Sequence, residues 1–279
     1  MHRARIRAAV AVLASVVAFG VPAQSSATAA PAAARSGAYT HGFDLSWPQC
    51  RGHAAGSVPA GRPAYVILGL THGTGHTVNP CLRSQLRWAG MHGAMVGGYL
   101  VASYPTQRQR ARSGHGLFGK CHGGLLCRLR NDGAGQVHDA LATMHRAHMH
   151  SPMVWLDVEF RDQQPWTHNH LRNRAVLQGM VRALRHRHTR FGVYTTGYMW
   201  HAIAGRYRLD VPQWLPSGRS RAKPTIPLCR QTATGGTTWL VQYTNRLDQD
   251  LTCPVLSATR SHLRGAHQRP VLTRIVARV

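Results

Sequence analysis

The sequence is poor in acid. Of its 279 residues only nine are Asp or Glu, against 34 Lys or Arg, and Glu159 is the sole glutamate. Lysine is nearly missing too: Lys120 and Lys223 are the only two, so arginine carries the net charge of +25. Such a charge favours polyanions: nucleic acid, anionic lipid or anionic wall polymer. The same Arg, Ala and Gly excess is also what GC-rich codons produce. No stretch reaches the roughly 20 apolar residues that a spanning helix needs, so no stable membrane anchor is expected. No Cys-x-x-Cys occurs, which weakens a metal reading of the six cysteines. His-Glu-x-x-His is missing as well. His145, His148 and His150, and then His168 and His170, have spacings that arise easily by chance among 19 histidines. Neither a metal nor another cofactor is expected.

What is present begins with an export signature. Met1 to Arg7 is basic, Ala8 to Val21 is apolar, and Ala27-Thr28-Ala29 offers a small-x-small cleavage site. That order reads as a secretory signal peptide over residues 1–29, followed by an Ala-rich linker over 30–38. Losing Arg3, Arg5 and Arg7 leaves a net charge of about +22. Six cysteines in an exported chain imply three disulfides, for which there are about fifteen pairings. Cys121 and Cys127 bracket a short Gly-rich loop, Cys229 and Cys253 flank a strand candidate, and Cys50 with Cys81 would complete the set. Spacing alone leaves these pairings open. In an extracellular setting, nucleic acid is not an expected partner.

From Tyr39 onward, strand-like and helix-like stretches alternate, which favours an α/β fold with a parallel sheet. Strands are expected at 39–46, 64–71, 96–104, 153–160, 191–196, 211–215, 239–244 and 247–251. Helices are expected from Asn79 to about Gly90, Gln136 to about His148, Leu171 to His186 and Gly197 to Arg206. Val176, Leu177, Met180, Val181 and Leu184 give the third of these one buried stripe. Residues 105–132 read as a long Gly- and Arg-rich surface excursion. Eight strands in about 220 residues suit a (β/α)8-type, TIM-like barrel over 39–254 with some helices reduced or missing. The tail over 255–279 is basic and weakly periodic.

One stretch stands out, Val154-Trp155-Leu156-Asp157-Val158-Glu159-Phe160. It is an apolar strand candidate carrying two carboxylates at i and i+2, which leave the same face roughly 6.6 Å apart. Paired acids in an apolar strand usually mark a site. In a barrel, functional side chains gather at the carboxyl ends of the strands. Asp44, near the end of the first strand, and Asp250, in the eighth, would then approach each other, with Asp157 and Glu159 across the mouth. A carboxylate cluster suits glycosidic cleavage: one acid donates a proton to the leaving oxygen and another stays ionised. Trp47, Tyr99, Trp155, Tyr194 and Trp239 are candidate faces for sugar rings, although core packing is the favoured reading for Trp155 and Trp239.

These residues resemble the family 25 glycoside hydrolases, exported lysozymes that cleave peptidoglycan at N-acetylmuramic acid. The resemblance covers most of Gly42 to Asp250. Gly42-Phe43-Asp44-Leu45-Ser46 resembles the opening strand, and Leu156-Asp157-Val158-Glu159 the Asp-x-Glu strand, which is the most specific mark. Gly192-Val193-Tyr194-Thr195, Val241-Gln242-Tyr243-Thr244 and Asp250-Leu251 resemble the fifth, seventh and closing strands. Trp47-Pro48-Gln49-Cys50, Asn79-Pro80-Cys81 and Val176-Leu177-Gln178-Gly179 are similar to an actinobacterial branch of secreted family-25-like domains. The resemblance implies Glu159 as proton donor and Asp157 as the holder of the substrate acetamido group, with Asp44 and Asp250 supporting the pocket. Strand geometry alone leaves open which acid is donor and which is stabiliser. Trp47, Tyr99, Tyr194 and His72 would contact a substrate that is peptidoglycan or a related amino-sugar polymer. The chain departs from the pattern at Thr71-His72-Gly73, where Thr-Glu-Gly is usual, at Tyr99-Leu100-Val101 in place of Tyr-His-Phe, and at Trp214-Leu215-Pro216. A barrel that binds cell-wall carbohydrate without cleaving it is the competing expectation.

Overall fold

A computed structural model of the chain describes residues 39–52, 54–160 and 165–254. The expected signal peptide, linker and basic tail lie outside the described residues. Eight strands close a barrel: β1 (His41–Leu45), β2 (Tyr65–Gly69), β3 (Met95–Val101), β4 (Val154–Asp157), β5 (Phe191–Tyr194), β6 (Gln213–Pro216), β7 (Thr238–Asn245) and β8 (Leu247–Thr252). They follow one another around the barrel in chain order, and β8 closes on β1. Among the described residues five α-helices return the chain: α1 (Leu82–Met91), α2 (Gln107–Arg112), α3 (Leu125–Arg146), α4 (His170–His186) and α5 (Gly197–Ala204). No α-helix follows β1 or β6. A 3-10 turn and a two-stranded ribbon stand after β1, and a 3-10 segment after β6. Among the described residues, no helix is long and apolar enough to cross a membrane.

The period-two pattern sorts side chains between two cores. In β4, Val154 and Leu156 join the cluster between strands and helices, whereas Trp155 joins the cluster inside the barrel with Tyr65, Trp214 and Leu240. Trp239 packs partly buried against the same inner cluster. Large rings fit there because glycines face them. A Cβ on Gly42 would lie 2.3 Å from the Tyr65 ring, and one on Gly192 would lie 2.3 Å from Trp155.

Three expectations are corrected. The excursion over 105–132 contains α2, and α3 begins at Leu125 rather than Gln136. Leu129 is fully buried there, and partly buried Leu125 and Leu126 pack on the same core. Gly133 and Gly135 hide the helix from a reading by propensity, yet Gly133 sits where α3 meets the backbone of α4. The fourth strand ends at Asp157, so Glu159 stands two residues beyond it.

The eighth strand is antiparallel to both neighbours. Only Arg246, with φ of 64°, separates β7 from β8. A connection this short can form a hairpin, whereas parallel neighbours need a dozen or more residues to cross over. The consequence is functional. β8 starts at the mouth and descends, so its acids are ordered from the mouth downward as Asp248 and then Asp250.

Candidate active site

The carboxyl ends of the parallel strands surround a cavity of about 140 Å³, or about 610 Å³ with its open mouth included. Four acids line it: Asp44 from β1, Asp157 at the end of β4, Glu159 just beyond, and Asp248 from β8. Asp157 is buried and Glu159 half-buried. The short segment that carries Glu159 is held at three points. Val158 N–H donates to the Tyr194 carbonyl at 2.9 Å, Thr195 Oγ1 donates to the Val158 carbonyl at 2.7 Å, and Trp166 Nε1 donates to the Glu159 carbonyl at 3.1 Å. The first of these bonds continues the β4–β5 ladder past the end of β4. The alternation therefore persists: Val158 faces the outer core while Asp157 and Glu159 both line the cavity.

Asp44 sits in a chain of hydrogen bonds. Tyr194 Oη donates to Gln242 Oε1 at 2.8 Å, and Gln242 Nε2 donates to Asp44 Oδ2 at 2.7 Å. Burial pushes the Asp44 carboxyl well above the usual range, and Asp248 adds to this against the lowering bond from Gln242; Asp157 and Glu159 raise it further.

Asp250 is corrected from its expected place at the mouth. It lies in the barrel interior at 0% exposure, opposite Gly42 and Gln242 in the strand register, and it does not line the cavity. Trp214 Nε1 donates to its Oδ1 at 2.8 Å. Burial raises its pKa well above the usual range, as do the Asp44 charge and a hydrogen bond to Asp44, while the Trp214 bond opposes them. Burial and mutual repulsion disfavour ionising both carboxyls at once.

The pH dependence has a definite sign. A carboxyl whose folded pKa lies above the ordinary 3.8 contributes stability that is fully present below that value and is lost as pH rises through the folded pKa. Asp250→Asn retains an acceptor for Trp214 and supplies a donor toward Asp44 without the titrating charge. We expect its melting temperature at pH 7 to exceed that of the unsubstituted protein by about 3 °C or more, a gap that closes toward pH 4. A thermal denaturation series across pH checks this, and a gap that stays constant would contradict the raised Asp250 pKa.

Among the aromatic candidates, Trp47, Tyr99 and Tyr194 line the cavity, whereas Trp155 and Trp239 belong to the inner core below it. His72 is corrected: it is exposed at the rim with its ring 4.5 Å from that of Trp47, and it does not line the cavity. Thr71 lines it instead, and its Oγ1 accepts from Val101 N–H at 3.0 Å. Among the lining residues that were not anticipated are Trp214, Gln242 and Asp248. Trp214 meets Tyr194 edge-on at 4.6 Å and Tyr99 at 6.1 Å, forming an aromatic wall. Two of them had a local signal: Gln242 is a polar residue inside an apolar strand, and Asp248 opens the strand in which Asp250 was singled out.

Three disulfides close, Cys50–Cys81, Cys121–Cys127 and Cys229–Cys253. The first ties the loop after β1, which carries Trp47, to the loop after β2, which carries Thr71. Among the described residues, no three His, Cys, Asp or Glu side chains are grouped to hold a metal.

Comparison with known proteins adds to this geometry. A family model described as Lysozyme-like protein 1 matches residues 126–216, the stretch from α3 to β6. No curated protein sequence matches the chain. Solved structures do match in fold. A family 25 lysozyme from Aspergillus fumigatus superposes with a TM-score of 0.53 at 16% identity, covering 86% of this chain and 98% of that one. The bacterial lysozyme of Streptomyces coelicolor gives 0.51 at 18% identity, covering 77% and 92%. A family 25 glycosyl hydrolase from Bacillus anthracis gives 0.50 at 14%, covering 76% and 88%. The described barrel thus has the fold of the family 25 glycoside hydrolases, and its stretch 126–216 is similar to the lysozyme-like family.

Proposed function

We propose that this protein is an exported glycoside hydrolase that cleaves peptidoglycan at N-acetylmuramic acid. The observation that carries the reading is the grouping of Asp44, Asp157, Glu159 and Asp248 around one aromatic-walled cavity at the carboxyl end of the barrel. Two structures that share the fold are named lysozymes, and the lysozyme-like match spans both Asp157 and Glu159. Three disulfides support an oxidising, extracellular setting.

In the proposed reaction Glu159 donates its proton to the leaving glycosidic oxygen. The substrate's own acetamido oxygen attacks the anomeric carbon, and Asp157 holds the acetamido N–H and offsets the positive charge that develops. Water then opens the cyclic intermediate, returning a proton to Glu159, with retention at the anomeric carbon. Asp44, fixed by Gln242 and Tyr194, shapes the floor on which the sugar sits. Trp47, Tyr99 and Tyr194 give the sugar apolar faces.

Incubation with purified peptidoglycan tests the reading: turbidity should fall and new reducing ends should appear. Binding without either would make the barrel a wall-binding module instead.

The basic surface is assigned to anionic wall polymers. Arg219, Arg221, Lys223 and Arg246 are exposed on the segment after β6 and on the β7–β8 hairpin, and none of them pairs with a carboxylate. Surface attraction of this kind is screened within about 8 Å at physiological salt. Raising NaCl from about 50 to 500 mM should therefore weaken adsorption to walls that carry anionic polymer by about tenfold. Walls stripped of that polymer should show little change in a sedimentation assay. Equal salt dependence on both would contradict the assignment.

A further inference from the structure

Among the described residues, the large apolar side chains that stand exposed are Val78, Met91, Leu117, Phe160, Leu171 and Tyr198. Two of these are aromatic, and those two touch each other. Phe160 is 46% exposed and Tyr198 77% exposed, with ring centroids 5.9 Å apart in an edge-to-face arrangement at 76°. Scattered single apolar residues on a surface are ordinary, but a contiguous exposed aromatic pair calls for a partner.

Their place in the fold narrows the partner. Phe160 directly follows Glu159, which lines the cavity, and Tyr198 lies in the first turn of α5, four residues past the end of β5. Thr195 Oγ1 donates to the Val158 carbonyl and so fastens the two carrier segments together at the mouth. The rings therefore stand on built backbone beside the carboxylates, not on an unattached loop. Thr196 caps α5 by accepting from Met199 N–H at 3.0 Å, which fixes the turn that presents Tyr198. Elsewhere on the rim, Trp47 from the segment after β1 pairs with His72 from the segment after β2. The cavity consequently lies between two aromatic stations, one after β1 and β2 and the other after β4 and β5.

We propose that Phe160 and Tyr198 form a sugar-binding platform outside the cavity that holds a further ring of the same glycan chain, so that the substrate is an extended strand. This rests on the hydrolase reading above and adds a subsite to it. A pyranose ring is apolar across its C–H face and polar at its edge. Laid on the exposed aromatic faces, it removes carbon from water while its hydroxyls stay hydrated. A peptide stem or a phosphate would gain little from this pair, which carries no charge.

The test uses peptide-free glycan strands of two, four and eight sugars from purified peptidoglycan. Their affinity is measured by calorimetry in a Glu159→Gln background, which removes turnover. Affinity should grow with length. Tyr198→Ala and Phe160→Ala should each lower the eight-sugar to two-sugar affinity ratio by about tenfold, equivalent to about 1.4 kcal/mol. Tyr198→Trp should restore the ratio, and Leu171→Ala, an exposed apolar change on α4, should leave it as it was. Melting temperatures confirm that each variant is folded. A loss equal at all lengths, or no loss, would overturn the platform. So would a Tyr198-dependent dimer in sedimentation without any change in the length dependence. If no strand of any length binds the unsubstituted protein, the hydrolase reading itself fails, an outcome distinct from a flat length profile in a protein that binds.

Discussion

Glu159→Gln should reduce lysis of purified peptidoglycan by about a hundredfold or more, in kcat rather than KM. The substitution keeps the size of the side chain and its capacity to hydrogen-bond, and removes the proton. A glycosidic oxygen leaves poorly as an alkoxide, so the step depends on protonation as the bond breaks, and general acid catalysis contributes typically 10²–10⁴-fold. Little else should move. The backbone around Glu159 is held through main-chain groups, by bonds from Trp166 and Thr195 and by a bond to the Tyr194 carbonyl. The variant should therefore melt within about 2 °C of the unsubstituted protein and still bind walls. Turbidity and reducing-end assays measure the loss. A variant that lyses equally well would remove Glu159 from the donor role and direct attention to the other cavity acids.

Gly179→Ala should destabilise the fold by about 3 kcal/mol, at the upper end for a single added methyl group. A Cβ at that position would lie 2.0 Å from the Arg130 carbonyl oxygen and 2.8 Å from its carbon. The relation is reciprocal, since a Cβ on Gly133 would lie 2.1 Å from the Val176 carbonyl oxygen. Helices α3 and α4 thus cross with their backbones touching, and the obstacle is main chain that cannot rotate away. The helices must separate along a face that buries Leu129, Val137, Val176 and Met180. Urea denaturation measures the loss. Gly90→Ala in α1 is the control, because nothing lies within 4 Å of its Cβ and the change should stabilise by about 0.5–1 kcal/mol. If Gly179→Ala is as benign as Gly90→Ala, the tight crossing is wrong.

That crossing illustrates what the sequence could and could not say. The stripe in α4 is legible because nothing interrupts it, whereas Gly133 and Gly135 interrupt α3 for a reason that lies in another helix. Local propensity sees a breaker where tertiary contact requires a bare backbone. The alternation of Val154, Trp155, Leu156 and Asp157 is legible in full, since both faces of a barrel strand are buried and period two sorts them. The direction of β8 was legible too. Two strand candidates ending at Thr244 and starting at Leu247 leave too few residues for a crossover. Once that strand is turned over, Asp248 replaces Asp250 at the mouth. Gln242 and Trp214 escaped because their roles arise across the barrel, in bonds to Asp44 and Asp250 that join residues 198 and 36 apart in sequence.

The site itself is best understood as two tiers. The lower tier is Asp44 with Asp250 and Trp214, and burial raises the pKa of both carboxyls. The upper tier, Asp157, Glu159 and Asp248, meets the mouth. In the proposed reaction the upper acids act on the substrate and the lower pair supports the floor.

The most direct test of the account is the identity of the new chain end. Peptidoglycan digested by the protein, reduced with borohydride and hydrolysed in acid, should yield muramitol as the new reduced sugar, in amounts that grow with time and that Glu159→Gln does not produce. No reduced sugar above the undigested control, or glucosaminitol in its place, would contradict it.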